Sequence, residues 1–501
     1  MEPRLGQGQT EALARLAPQI HAGGTPQAQQ EAETRAASLL SAGLRLFWKS
    51  ATPDPACPRA FYLALDAAQG GRWEPMLLRV APVSSAPPER FRGLARLGET
   101  RLADGEPATM DAIPFTSRDH DNIGAFVENV DRAFLPRPQR ELPAIAAGNR
   151  HPEISLPAAF EAFGAILARM GVNMASTVQL SATREMTVDS AIESRDGENP
   201  LAPGHTRVSI RHLYHAGLWA AVRAGWRCGY TAEADHIIIS GQDAGQIRHS
   251  VEDGKEAVRH AAGYTKFTTD TSPLFELRAD PRHPRPWSDA EIIQRFEALF
   301  SAEERTWILD EFTRPFPVEG RAWKLGAAQL MRLAVKFGES LKLNEELYDW
   351  IREVKKSAGF VPEFDFEPSL DEAETLTTPE ELLFYMRWLQ ARGRPAQLVP
   401  PNLGFKKRQA YPVAMESSPA AGVGLTDYVR HKMWPELAAR VESAFGGKPL
   451  AELGARVREL AAVARFFNGT LSIHSGSGKQ AEVLEEIGRA TAGRVNYKIS
   501  G

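Results

Sequence analysis

The stretch Thr231-Ala-Glu-Ala-Asp-His236 decides how this chain is read, together with Leu471-Ser-Ile-His474-Ser-Gly-Ser-Gly-Lys479 near the other end. Each follows a short run with the character of a buried strand, and each ends in groups that can bind a metal, move a proton or grip an oxygen-rich ligand. In an α/β barrel the parallel strands deliver chemistry at their ends, so imidazole and charged groups placed just after an apolar run mark such ends. An enzyme is the first expectation.

Working outward, helix and strand alternate. Ala158–Met170, His212–Arg223 and Val251–Ala262 have helical spacing and stop at Gly171, Gly225 and Gly263. Strands are predicted at Val172–Val178, Trp226–Ala232 and Tyr264–Thr269. A helix returning between successive strands implies parallel pairing with right-handed crossovers. The rhythm breaks over about 288–359, where consecutive helices form an insertion. Two of them open with capping-box patterns, Ser288 to Glu291 and Ser301 to Glu304. Alternation resumes with strands at Phe364–Leu370, Ala396–Val399, Leu471–His474 and Arg494–Ile499, and with helices opened by Thr378-Pro379 and spanning Ala451–Phe467 and Gln480–Thr491. About seven strand–helix units favour a TIM-type (β/α) barrel over an open sheet. The expected organisation is a barrel over 152–501 and a smaller α+β region over 1–151. In that region Thr25–Leu46 has a helical pattern, and strands at Ala60–Leu65 and Met76–Ala81 flank a Gly70-Gly71 turn. Pro-rich stretches at Ser84–Arg92 and Leu135–Leu142 serve as linkers.

Composition narrows the function. The 501 residues are 43% hydrophobic and 24% charged, enough to bury a large core. A net charge of −4 without a Lys/Arg run gives nothing to neutralise nucleic-acid phosphates or anionic lipid. The start lacks the basic and apolar regions of a signal peptide, and no run of roughly 18 apolar residues occurs, so a cytoplasmic location is expected. Cys57 and Cys228 lack CxxC spacing, which leaves no disulfide framework or cysteine zinc site.

Three acidic clusters fall at strand ends. Glu233, Asp235 and His236 crowd two carboxylates and an imidazole into four residues, the ligand types of Zn, Mn, Co or Ni, although a structural ion pair accounts for them equally well. Asp270 occupies the corresponding place one unit later, where an N-cap is the simpler role. Asp371-Glu372 forms a third acidic end, or a solvated acidic loop. The run His474-Ser-Gly-Ser-Gly-Lys479 lacks the first Gly and the final Ser/Thr of a phosphate loop, and no GxGxxG follows any strand, so nucleotide and dinucleotide binding are excluded. Ser475, Ser477 and Lys479 instead open a helix, where N–H groups and a lysine suit a small anion. One divalent ion is expected on Asp235, His236 and His474, with Asp270 or Glu372 as a fourth ligand.

Five motifs in order then meet a known family: Ala232-Glu-Ala-Asp-His-Ile237, Gly263-Tyr-Thr-Lys-Phe-Thr-Thr-Asp270, Ser369-Leu-Asp-Glu372 with Thr377-Thr-Pro379, Pro401-Asn-Leu-Gly-Phe-Lys-Lys407, and Leu471-Ser-Ile-His-Ser-Gly-Ser477 with Lys479. Over roughly 155–501 they resemble the bacterial tagaturonate (hexuronate) epimerases. The resemblance implies a metal-dependent barrel isomerase that interconverts D-tagaturonate and D-fructuronate, with Glu233, Asp270 and Glu372 as catalytic candidates. It also implies Ser475, Ser477, Lys479, Lys407 and Lys498 as substrate-binding candidates. The chain departs from the family at Ile238, at Gly478 and in the closing Asn496-Tyr-Lys498-Ile-Ser-Gly501. A metal-dependent aldose–ketose isomerase and a non-catalytic sugar-acid binder are the alternative readings. The expected partner is a small sugar acid, with homo-oligomerisation open. The last residues follow directly on a strand, which leaves room for a further C-terminal segment.

Overall fold

The first part of the chain builds a five-stranded antiparallel sheet in the order β1-β2-β3-β5-β4, whose edge strand β1 alternates buried and exposed residues while β2, β3 and β5 carry runs buried on both faces. Its strands are β1 (Leu44–Asp54), β2 (Cys57–Gln69), β3 (Arg72–Pro82), β4 (Ala95–Arg101) and β5 (Pro107–Pro114). Gly70 and Gly71, at φ 55° and 83°, form the tight turn that pairs Gln69 with Arg72, as their sequence implies. The computed structural model describes residues 5–22, 43–115, 121–140, 143–181, 185, 206, 208–371, 373, 375–405, 411, 449–474 and 480–499. The helical reading of 25–46 therefore lies outside the described residues up to 42, and its last residues belong to β1.

Helix α1 (Gln7–Ala22) covers one face of this sheet. The other face packs on α2 (Asn122–Asn129) and on a barrel helix, where Tyr62, Leu77 and Phe126 meet Leu218 and Trp219. That barrel helix ends at Gly225, whose φ is 64°. A Cβ there would stand 2.3 Å from Cβ of Lys49, so the approach of sheet to barrel needs glycine.

The barrel has eight parallel strands, in chain order around the ring: β6 (Ala144–Gly148), β7 (Ala175–Ser181), β8 (Thr231–Ile238), β9 (Lys266–Asp270), β12 (Asp365–Pro368), β13 (Leu398–Val399), β14 (Thr470–Ile473) and β15 (Val495–Ile499). Pairing of β15 with β6 joins the ends of the chain order. The remaining seam between β12 and β13 closes through backbone bonds from Gln397 N to Phe366 O and from Leu370 N to Pro400 O, each 3.0 Å. The TIM-type barrel expected from the sequence is therefore present. Its first strand, Ala144–Gly148, is the one the sequence reading did not include.

The connecting helices are α3 (Pro152–Met170), α4 (Ile210–Ala224) and α5 (Ala244–His260), then α9 (Pro379–Ala391), α10 (Pro449–Phe466) and α11 (Ala481–Ala490). Between β9 and β12 lies the insertion: α6 (Asp289–Leu299), α7 (Ala302–Phe312), a small hairpin β10–β11 (Phe316–Val318 with Arg321–Trp323), and α8 (Ala327–Ser357). Both expected capping boxes form, as does a third at Thr378 and Glu381. No helix among the described residues is long and apolar enough to cross a membrane.

Candidate active site

Strand alternation sends every second side chain of a barrel strand inward. In many barrels those positions hold branched apolar residues. Here they hold four charged groups and a hydroxyl: Glu233 from β8, Lys266 and Thr268 from β9, Glu367 from β12 and Lys498 from β15, all buried. Lys266 Nζ lies 3.0 Å from Glu233 and 2.9 Å from Glu367. Lys498 Nζ lies 2.5 Å from Glu233, 2.5 Å from Glu367 and 2.7 Å from Asp235. The Thr268 hydroxyl bonds Glu233 at 2.6 Å and Glu367 at 3.0 Å. A low-dielectric interior tolerates such charges only when each is paired, as these are.

At the C-terminal mouth the ladder between β8 and β9 slips by one residue between Ala234 and Ile237, and His236 takes φ 52°. A left-handed non-glycine residue in a bulge is strained and marks functional sites. Its effect is geometric: successive side chains that would point to opposite faces now meet, with His236 Nδ1 2.8 Å from Asp235 Oδ1. Across the mouth, His474 follows β14 directly, and its ring centroid is 5.0 Å from that of His236. Its Nε2 lies 2.7 Å from Glu367 Oε1, and its Nδ1 lies 3.2 Å from Asp371 Oδ2. Asp371 also accepts a hydrogen bond from the Ser369 hydroxyl. The ligand atoms of His236, Asp371 and His474 all lie within 4.8 Å of one another.

Electrostatics follow from that crowding. Burial alone would pull His236 down, but the Asp235 carboxylate outweighs it and pushes the imidazole up to about 9. His474 is likewise raised against burial by Asp371. Burial favours a neutral Asp371, and His474 overcomes it to hold the carboxyl well below the usual range. Asp270 differs. Burial raises it, opposed by its hydrogen bonds from Ser272 and by His236, while the Asp371 charge raises it further. Ser272 donates to Asp270 Oδ1 from its hydroxyl at 2.6 Å and its N–H at 3.1 Å, so Oδ2 is the oxygen left to meet a ligand.

A divalent cation fits this donor set. His474 Nε2 faces Glu367 and its Nδ1 faces an Asp371 oxygen at 3.2 Å, so the tautomer with its proton on Nε2 would turn a lone pair at Nδ1 toward a cation shared with Asp371. The four carboxylates Glu233, Asp235, Glu367 and Asp371 face two ammonium groups, Lys266 and Lys498, which leaves two negative charges when the imidazoles are neutral. Carboxylates behind His236 and His474 also orient each ring, as partners of metal-bound histidines do.

The expected residues thus separate. His236 and His474 come together, and the carboxylate beside them is Asp371, whereas Asp235 holds His236 and Lys498. Lys498, expected at the substrate, is 3% exposed and enclosed by three carboxylates, so it neutralises them and has no face for a substrate anion. Glu233 is 0% exposed between Lys266 and Lys498, as the counter-ion that the two lysines share. Glu372, Lys407, Ser475, Ser477 and Lys479 lie outside the described residues. Lys266 and Glu367 were missed, although Lys266-Phe-Thr-Thr-Asp270 and Asp365-Phe-Glu367 show the period-two alternation that sends them inward. Asn402 was quoted within a motif but given no role. It pins the segment after Asp371, accepting from Thr377 N and donating from its own N–H to Thr377 Oγ1 at 2.8 Å.

The fold and the site define a (β/α)8 barrel that gathers imidazoles and carboxylates at its C-terminal mouth. The family model described as tagaturonate epimerase matches residues 204–406. The chain is 23% identical over 292 residues to the tagaturonate/fructuronate epimerase of Thermotoga maritima, covering 58% of this chain and 48% of that protein. It therefore spans about half the length of the curated relative it matches. Among solved structures, the native crystal structure of fructuronate-tagaturonate epimerase from Cohnella laeviribosi superposes with a TM-score of 0.54 at 18% identity, covering 93% of this chain and 75% of that one. The same enzyme with two glycerols gives 0.56 at 17% identity over the same shares. The superposition bears out the barrel fold, and the family-model match bears out the family resemblance over residues 204–406.

Proposed function

We propose that the chain is an isomerase that interconverts D-tagaturonate and D-fructuronate, or a closely related keto-sugar acid, at the barrel mouth. The observation that carries this reading is the convergence of His236, His474 and Asp371 on one point, beside the raised carboxyl of Asp270. The family match supports the substrate class. His236, Asp371 and His474 would hold a divalent ion, which when bound would supply Lewis acidity to the substrate oxygens.

The two keto-acids differ at a carbinol carbon β to the ketone, whose hydrogen that carbonyl does not acidify. Enolisation cannot invert it; of the two routes left, transient oxidation through a nicotinamide and opening of a carbon–carbon bond, we propose the second. Asp270 Oδ2 takes the proton of the β-hydroxyl, its electron pair becomes the new aldehyde C=O, and the bond to the α-carbon breaks to leave an enediolate. The aldehyde turns, the enediolate attacks its other face, and Asp270 returns the proton. Burial raises Asp270, which suits a base that must also give the proton back. Ser475, Ser477 and Lys479, placed by sequence just before α11, bind the substrate carboxylate in this account. The test is turnover by the metal-loaded protein of keto-hexuronates against the matching uncharged ketoses. Conversion confined to the acids supports the reading, and conversion of neither keto-acid refutes it.

A further inference from the structure

Helix α8 of the insertion carries Lys336, Ser340 and Asn344 at four-residue spacing, so the three share one face. All are buried, with Lys336 only 3% exposed. A helix that merely walled off the mouth would bury apolar side chains there, because a buried amide or ammonium costs stability unless partnered. Here the side-chain partners come from the end of β9 with the segment that follows it, and from the segment and helix that follow β12.

Asn344 accepts from Thr269 Oγ1 at 2.5 Å and donates to Thr271 Oγ1 at 2.9 Å. Those threonines flank Asp270, whose side chain points the other way by strand alternation. Ser340 Oγ lies 2.7 Å from Thr271 Oγ1 and 2.8 Å from the Tyr385 hydroxyl, to which Asn344 also donates at 2.8 Å. One turn earlier, Lys336 Nζ donates to Asp280 Oδ2 at 2.8 Å and to Glu381 Oε1 at 2.7 Å. Asp280 lies on the segment that follows Asp270, and Glu381 closes the capping box just after the segment that holds Asp371.

We infer that this polar face of α8 sets the positions of Asp270 and Asp371, making Lys336, Ser340 and Asn344 positioning residues of the barrel mouth. The insertion is then a brace shared by two strand ends. For catalysis this rests on the functional reading above. A displacement near 1 Å at a reacting group costs about 100-fold in rate, which is the scale on which such a brace matters.

The test uses the metal-loaded full chain with Thr271→Val, Thr271→Ser and Lys336→Met, assayed on keto-hexuronates, with a crystal structure of each. Arg282 Nη2 lies 2.7 Å from both Asp280 and Glu381, so the two carboxylates remain paired in Lys336→Met. Thr271→Val and Lys336→Met are expected to lower kcat about 10- to 100-fold with KM changed less than about twofold. Thr271→Ser keeps the hydroxyl and restores most of the rate. The crystals should show the Asp270 carboxyl displaced in Thr271→Val and the Asp371 segment displaced in Lys336→Met. Ser340→Ala replaces Thr271→Val if the latter does not fold. Folded variants with unchanged kcat and superimposable carboxyls overturn the inference, even where Tm falls. A wild type inactive on every keto-hexuronate removes the functional reading instead, and the carboxyl positions still decide the brace.

Discussion

His474 presents Nδ1 to Asp371 Oδ2 at 3.2 Å while its Nε2 rests on Glu367 at 2.7 Å. The ring is thus fixed from behind by one carboxylate and faces another. If the proposed site takes a divalent ion, Asp371→Ala and His474→Ala are expected to abolish its binding. Asp235→Asn, which weakens the hold on His236 and removes one of the charges facing Lys498, is expected to weaken binding about 10- to 100-fold. Metal titration of the three purified variants separates these outcomes, and full occupancy in Asp371→Ala removes Asp371 from the centre.

Lys498 offers a contrast between neutralising and substrate-binding roles. Removing one partner of a buried ion pair costs about 3–5 kcal/mol, because the partner charge stays buried. Lys498→Met should therefore lower stability by about that amount in denaturant unfolding, as Glu233, Glu367 and Asp235 lose their shared cation. A variant with native stability but a greatly raised KM would return Lys498 to the substrate.

Asp270→Asn keeps the shape of the side chain and removes its basicity. A positioned general base contributes about 100- to 10,000-fold, so kcat should fall by that range with metal content unchanged. Loss of metal in step with activity would make Asp270 a ligand and not the base.

Much of this site could be read before any fold was known. Asp235, His236 and His474 stand out because each follows an apolar run long enough to be a strand. Their division of labour could not be read, since it depends on a bulge at His236 and on Glu367, which arrives from a strand far along the chain. That Asp371 would face His474 was equally out of reach, because alternation no longer governs side chains once β12 ends at Pro368. The first barrel strand, Ala144-Ile-Ala-Ala-Gly148, is short and nearly featureless behind a Pro-rich stretch, and only its pairing with β7 and β15 defines it. The insertion was legible through its capping boxes, but not the inward polar face of α8, whose partners lie in other segments.

Lys355 gives a pH signature independent of the active site. At the end of α8 it donates to the carbonyls of Tyr264 at 2.6 Å and Ala262 at 3.1 Å, and burial brings its ammonium down to about 8. The unfolded chain keeps its lysine near 10.4, so between about pH 8 and 10.4 the unfolded state binds the extra proton and stability rises with pH. Below that window the group opposes folding by a constant amount. The stability difference between wild type and Lys355→Met should therefore shift toward wild type by about 3 kcal/mol across the window. A flat difference would show that the two carbonyls hold the charge as well as water does.

The central claim is inversion through carbon–carbon cleavage at the His236–Asp371–His474 centre. Its most direct test is the reaction of metal-loaded protein with tagaturonate in deuterated water, followed by NMR at the epimerised carbon. The account expects fructuronate to form with the original hydrogen still on that carbon. Deuterium there from the first turnovers would contradict it.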